Sequence, residues 1–228
     1  MAFNPPRFVF DDDDINVPQV NCEYYSPAIL NNTIKNKFSM LSLNIRSLRK
    51  NFTHLISFLN TFILNFSIIV LVETWLAENC DNTFSIPGYK ECSVYRNNHG
   101  GGIKVLYQDS YSVDVLKDFS FIHNVLEILT FYIKGRGFKY LICCIYRPPN
   151  SSISDFNEMF FNQIFIKFPP NVDTILVGDF NINLLNPLNL RPVKEFIGNM
   201  LSFNQFPVIN IPAKININNP ITKYSIIE

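Results

Sequence analysis

Twice in this chain a short, apolar, β-branched run stops on a carboxylate. Ser67-Ile68-Ile69-Val70-Leu71-Val72 is followed by Glu73, and Asp173-Thr174-Ile175-Leu176-Val177-Gly178 by Asp179. Continuous apolar runs of this length fit strands buried on both faces, which belong inside layered α/β architectures. A third strand candidate, Phe38 to Asn44, alternates in polarity and ends on an amide side chain.

The spacing between these runs supplies the rest of the framework. Leu48, Phe52, Leu55, Ile56, Leu59 and Ile63 recur at helical spacing, so the first unit reads strand, amphipathic helix, strand. Strand-like runs follow at Glu91 to Tyr95, Gly102 to Tyr107, Val125 to Ile133 and Tyr140 to Tyr146, separated by turns such as Gly100-Gly101-Gly102 and Gly135-Arg136-Gly137. This middle section reads as one antiparallel meander. Asp155 and Glu158 have the spacing of a capping box for a second helix, with Phe156, Met159, Phe160 and Ile164 on its apolar face. Pro192 to Phe203 is a weaker helix candidate. Residues 1–36, with Pro5-Pro6 and the run Asp11 to Asp14, read as an irregular acidic leader, and 37–228 as one domain.

Composition narrows the function classes. Hydrophobic residues make up 47% of the chain and phenylalanine alone contributes 22 residues, enough for a large core. Formal net charge is zero, so a nucleic-acid partner would have to be held by a local basic patch. Five cysteines without a CxxC pair indicate neither a disulfide framework nor a zinc site. The N-terminus has no apolar core of a signal peptide, and Thr61 to Leu76 is too short and too polar to span a membrane. An intracellular, reducing compartment is expected.

The chemistry is concentrated at strand ends, where α/β sheets present functional groups. Asn44-Ile45-Arg46, Glu73-Thr74-Trp75 and Gly178-Asp179-Phe180-Asn181 each follow an apolar strand. A carboxylate and an amide oxygen suit a hard cation such as Mg²⁺ or Mn²⁺, and a second carboxylate can act as base toward water. Taken singly, each residue could equally end a strand or stabilise a turn. Arg46, Arg49, Lys50, Lys104 and Arg147 could line a basic rim. His54, His99 and His123 read as solvated or structural, with His99, beside the glycine triplet, the outside candidate.

Taken together, these clusters resemble the endonuclease/exonuclease/phosphatase (DNase I-like) family. The carriers are Leu43-Asn44-Ile45-Arg46-Ser47-Leu48, Val72-Glu73-Thr74-Trp75-Leu76, Gly100-Gly101-Gly102-Ile103, Ile145-Tyr146-Arg147-Pro148-Pro149-Asn150 and Val177-Gly178-Asp179-Phe180-Asn181. Glu-Thr-Trp, the glycine triplet and Tyr-Arg-Pro-Pro are most similar to the DNA-nicking domain of non-LTR retrotransposons. The resemblance implies an α/β (α+β), four-layer sandwich of two mixed sheets flanked by helices. It implies Asn44 and Glu73 at a metal site, Tyr146 on the scissile phosphate, and Asp179 and Asn181 as the water-activating and phosphate-orienting pair; Arg46 and Arg147, from the basic rim, are the DNA-contact candidates read from the sequence itself. A nuclear location and a reverse transcriptase domain in the intact element are further implications. Ser225-Ile226-Ile227-Glu228 is similar to the family's late Ser-x-Ile-Asp element, which would make Glu228 a further metal ligand. The family's closing strand and Asp-His pair would lie beyond it, so the expectation is a truncated domain with impaired hydrolysis. A remnant without activity, a gene cut short, a small-phosphoester phosphatase and a DNA-binding module stay open as alternatives.

Overall fold

Alternation along the strands decides the layering. The computed structural model describes residues 29–31, 37–63, 65–78, 84–96, 100–184 and 191–209, and the backbone of 224–227. Strand β2 (Ile68–Val72) sends Ile68, Val70 and Val72 into one core and Ile69 and Leu71 into another. Side chains of period two on a doubly buried strand require a layer on each side.

β2 belongs to a five-stranded sheet, A, in the order β10 (Tyr224–Ile227), β1 (Met40–Asn44), β2, β4 (Ile103–Gln108), β3 (Tyr89–Val94). Sheet B runs β5 (Ser112–Val115), β7 (Glu127–Gly135), β8 (Phe138–Tyr146), β9 (Thr174–Asp179), with β6 (Phe121–Ile122) also paired to β7. Both sheets are mixed: β1 and β2 are parallel, β8 and β9 are parallel, and the other pairs are antiparallel. Helix α1 (Leu48–Leu59) packs Leu48 and Leu55 onto sheet A. α2 (Ile153–Asn157), its π-helical continuation Glu158–Ile164, and α3 (Arg191–Ser202) cover sheet B. The result is the four-layer sandwich that the resemblance implied.

Three cores separate the layers. Between the sheets lie Val70, Val72, Val105, Phe131, Ile142 and Cys144, among others. The outer face of sheet B takes up much of the phenylalanine excess, with Phe156, Phe160, Phe161, Phe165, Phe168 and Phe196 buried together. Adjacent residues on β8 divide between these layers, Cys143 facing the helices and Cys144 the other sheet, and both are fully buried.

Several sequence expectations are corrected. The middle strands are not one meander: β3 and β4 form a hairpin in sheet A, and β5 to β8 belong to sheet B. Alternation cannot distinguish these choices, because each sheet buries both faces. α1 ends at Leu59, where Asn60 takes over as cap, and Ile63 is 87% exposed instead of continuing the apolar face. The second helix is capped by Ser152, whose hydroxyl accepts from the Asp155 N–H at 3.2 Å, not by Asp155 and Glu158. Within the expected leader, residues 29–31 form a helical turn that docks on the domain: Leu30 is buried in the first core, and Asn31 bonds the Thr61 carbonyl and the Ile63 N–H.

Candidate active site

Because β1 and β2 are parallel, Asn44 and Glu73 emerge at the same end of sheet A. Main-chain bonds fasten the loops there. Ile45, Ser47 and Leu48 donate to the carbonyls of Val72, Glu73 and Thr74, while Thr74 and Trp75 donate to those of Gly102 and Gly101. The segment Glu73–Trp75 is thus held from both sides. This weave forces unusual backbone: φ is +45° at Arg46, +81° at Ser47, +56° at Glu73 and +55° at Trp75. Each such residue costs on the order of 1–3 kcal/mol and persists only where surrounding structure over-determines it.

Sheet B offers a matching row. In register, Glu127 lies beside Tyr146 and Tyr146 beside Asp179. Gly178 is what lets β9 reach this position. A Cβ there would stand 1.9 Å from the Ile145 carbonyl oxygen, and its φ is +135°. The Asn181 N–H donates to Asp179 Oδ1 at 3.1 Å, and Asn181 Nδ2 donates to the Arg147 carbonyl at 2.7 Å. The Arg147 guanidinium in turn donates to the carbonyls of Phe180 (2.7 Å) and Asn181 (2.6 Å) and to Ser151 Oγ (3.0 Å).

The two sheet ends meet at Asn44. Its Nδ2 donates to Glu73 Oε1 at 2.6 Å and to Asp179 Oδ2 at 2.9 Å, the latter 135 positions away in sequence. Its Oδ1 is buried and unpartnered. Burial, then the charge of Glu73 and a hydrogen bond to it, push the Tyr146 hydroxyl well above its ordinary range, which keeps it a neutral donor. Asn44, Glu73, Tyr146, Asp179 and Asn181 are therefore brought into one constellation.

Solved structures place this architecture. The endonuclease domain of TRAS1, a telomere-specific non-LTR retrotransposon, superposes with a TM-score of 0.54 at 12% identity, covering 75% of this chain and 76% of that one. The fold is that of the endonuclease/exonuclease/phosphatase proteins. D. rerio TDP2, crystallised with a single-strand DNA product, matches with a TM-score of 0.51 at 13% identity over 76% of this chain and 67% of its own. The human Nocturnin catalytic domain, with bound sulfate, matches with a TM-score of 0.52 at 12% identity over 82% and 80%. No protein-family model matches the sequence, and no curated protein matches it in a sequence search. At these identities the likeness establishes the endonuclease/exonuclease/phosphatase fold, and the chemistry rests on the residues.

Other expected residues go elsewhere. Arg147 is 2% exposed with its guanidinium bonded to carbonyls, so it holds the β9 loop and does not reach a DNA-facing rim. Lys104 is fully buried and ion-paired with Glu91 at 2.8 Å, which removes it from the rim as well. Arg46, Arg49 and Lys50 are exposed at the start of α1. Glu228 and His99 lie outside the described residues. In the β10 register Ile227 stands opposite Met40, at the end of β1 away from Asn44. His54 is exposed on α1, and His123 is exposed after β6. Among the described residues no helix is long and apolar enough to cross a membrane.

Glu127 was missed. It is fully buried, accepts from the Gly102 N–H at 2.6 Å, and pairs with Arg96 at 3.3 Å. Gly101 presses against it so closely that a Cβ there would lie 2.2 Å from Oε1. Burial, with a smaller contribution from Glu73, pushes its carboxyl up to about 7, against the Gly102 bond and Arg96. Its signal in sequence was a lone carboxylate at the head of an apolar run, since buried carboxylates seldom occur without a partner.

The oxygen set fits a hard divalent cation. Among the described residues no group of three or more His, Cys, Asp or Glu gathers in metal-holding geometry. Two carboxylates and an amide converge, with a buried amide oxygen in need of a partner. Rotating the Asn44 amide by half a turn would add that oxygen to the set. A small cation that retains several waters needs no more than this.

Proposed function

We propose that this chain is a metal-dependent phosphodiester hydrolase that nicks DNA. The convergence of Asn44, Glu73 and Asp179 where the parallel strand ends of both sheets meet carries the reading. Glu73 and Asn44 Oδ1 would hold Mg²⁺ or Mn²⁺, which when bound neutralises charge on the phosphate and favours attack at phosphorus. Asp179 takes the proton of the attacking water. The Asn181 N–H fixes the carboxylate for that task. The Asn181 amide retains one hydrogen beyond its bond to Arg147 and can donate it to a phosphate oxygen as negative charge accumulates; the Tyr146 hydroxyl stays protonated and would do the same by turning its hydrogen from Glu73 to the phosphate. DNA is favoured as substrate because the TRAS1 domain is an endonuclease and TDP2 was crystallised with a DNA product.

The test is nicking of supercoiled plasmid in Mg²⁺ by purified protein. Open circles should form, chelation should stop them, and Asp179→Ala should slow the reaction by roughly 10²–10⁴-fold. Nicking that survives both Asp179→Ala and Glu73→Gln would overturn the site. Hydrolysis of a soluble phosphoester without nicking would keep the chemistry and move the substrate.

A further inference from the structure

We propose that Trp75 is the base-stacking residue of this site, its indole providing the face on which a nucleobase beside the scissile phosphodiester rests. The inference rests on the DNA-hydrolase reading above and names how that substrate is gripped.

Trp75 is the only tryptophan in the chain, and it is 44% exposed although large aromatic rings usually contribute to cores. It stands two residues beyond Glu73, with Thr74 and Leu76 buried on either side. Its position is fixed by the main chain: the Trp75 N–H donates to Gly101 at 2.9 Å, and φ is held at +55°. The neighbouring loop fills positive φ with glycine at Gly100, Gly101 and Gly102. At Trp75 the same strained region carries the largest side chain available, where glycine would sit without strain. Backbone strain at a site next to converging carboxylates points to a side chain whose placement matters.

The loop that carries Trp75 is tied to a second loop. The Leu48 N–H donates to Thr74 and the Ser47 N–H to Glu73, which ties the Arg46–Leu48 loop to the Glu73–Trp75 loop. Arg46 is exposed on that loop, so an exposed cation and an exposed aromatic ring stand on the two loops joined beside Glu73. Nucleic-acid strands are held by that combination, cations along the backbone and aromatic rings under the bases. With a net charge of zero the chain has no general field to gather DNA, which raises the share of binding that local stacking must provide. Stacking on any base also requires no hydrogen-bond code, so the contact would tolerate varied sequence.

Because Trp75 is the sole tryptophan, emission excited beyond the absorption band of the tyrosines reports on this ring alone. The experiment titrates the full chain, in chelator, with a short DNA duplex containing a single-stranded gap, and in parallel measures plasmid nicking by Trp75→Leu and Trp75→Phe. Both variants bear the same backbone strain, but only the second keeps an aromatic face. Saturable quenching is expected, with KM raised roughly ten-fold or more in Trp75→Leu and largely restored in Trp75→Phe. Unchanged emission together with Glu73-dependent nicking overturns the stacking role and leaves the hydrolase reading standing. Quenching without any nicking supports the stacking role and overturns the hydrolase reading. If the leucine variant fails to fold, the titration of the unaltered chain still decides.

Discussion

At the end of β1 and β2 the site is held by main-chain hydrogen bonds on both sides of Glu73–Trp75, whereas at the end of β8 and β9 one guanidinium spans the carbonyls that turn the chain. Both ends use the same device, two parallel strands whose C-terminal loops meet. They differ in what would loosen them. Main-chain fastening ignores side-chain identity but demands particular φ angles, taken here by Gly100, Gly101 and Gly102 and also by Arg46, Ser47, Glu73 and Trp75. Side-chain fastening stakes the loop on one residue, although Gly178 (φ +135°) and Asn181 (φ +49°) take positive φ at this end as well.

The comparison can be broken first at Arg147. Arg147→Met should leave the Phe180 and Asn181 carbonyls without a donor and cost about 3–5 kcal/mol, read as a shifted denaturation midpoint at constant slope. Arg147→Lys should recover less than half, because an ammonium cannot span a planar fork. If both variants melt like the parent, the sheet B end is not fastened as described.

A smaller effect is expected on the sheet A side. At Gly102 a Cβ would lie 2.6 Å from Thr74 Oγ1, and φ is +84°; at Gly100 a Cβ would meet nothing within 4 Å, although φ is +99°. Gly102→Ala should therefore cost roughly 2–3 kcal/mol and Gly100→Ala roughly 1 kcal/mol, the latter from backbone strain alone. Equal losses in thermal melts would show that packing against Thr74 does not matter.

An effect that depends on pH is expected at Glu127. Its folded carboxyl titrates at about 7, above the ordinary 4.5, so the folded state binds the extra proton between those values. The associated stability is complete below about 4.5 and is lost as pH rises through about 7. Melting temperature should fall across that window, and Glu127→Gln should flatten the slope. Parallel curves for the two proteins would remove Glu127 from the account.

These fastenings also mark where sequence reading reaches its limit. The apolar run at Ile68–Val72 announced a doubly buried strand, whereas Thr174–Asp179 forms the expected strand but is only half-buried apart from Val177; Asn44, Glu73 and Asp179 were legible only together, as polar clusters following apolar strands in a family's order. Membership of one sheet or the other was not legible, since burial on both faces erases the polarity difference. Arg147 and Lys104 looked like rim cations because a cation carries the same letter whether it faces solvent or is bonded inside. The positive φ of Arg46, Ser47, Glu73 and Trp75 left no trace, as the residues that usually mark such turns are glycine and asparagine. Tertiary hydrogen bonds imposed those angles against local preference.

Cys143 and Cys144 turn the layering into something that can be timed. Burial pushes the Cys143 thiol up to about 12 and Cys144 well above its usual value, so neither forms thiolate while its layer is closed. A thiol reagent can reach Cys143 only when the phenylalanine-rich helices lift from sheet B, and Cys144 only when the two sheets part. Consecutive residues thus act as separate clocks, and labelling them one at a time would reveal whether the protein opens from its helical cover or along its central seam.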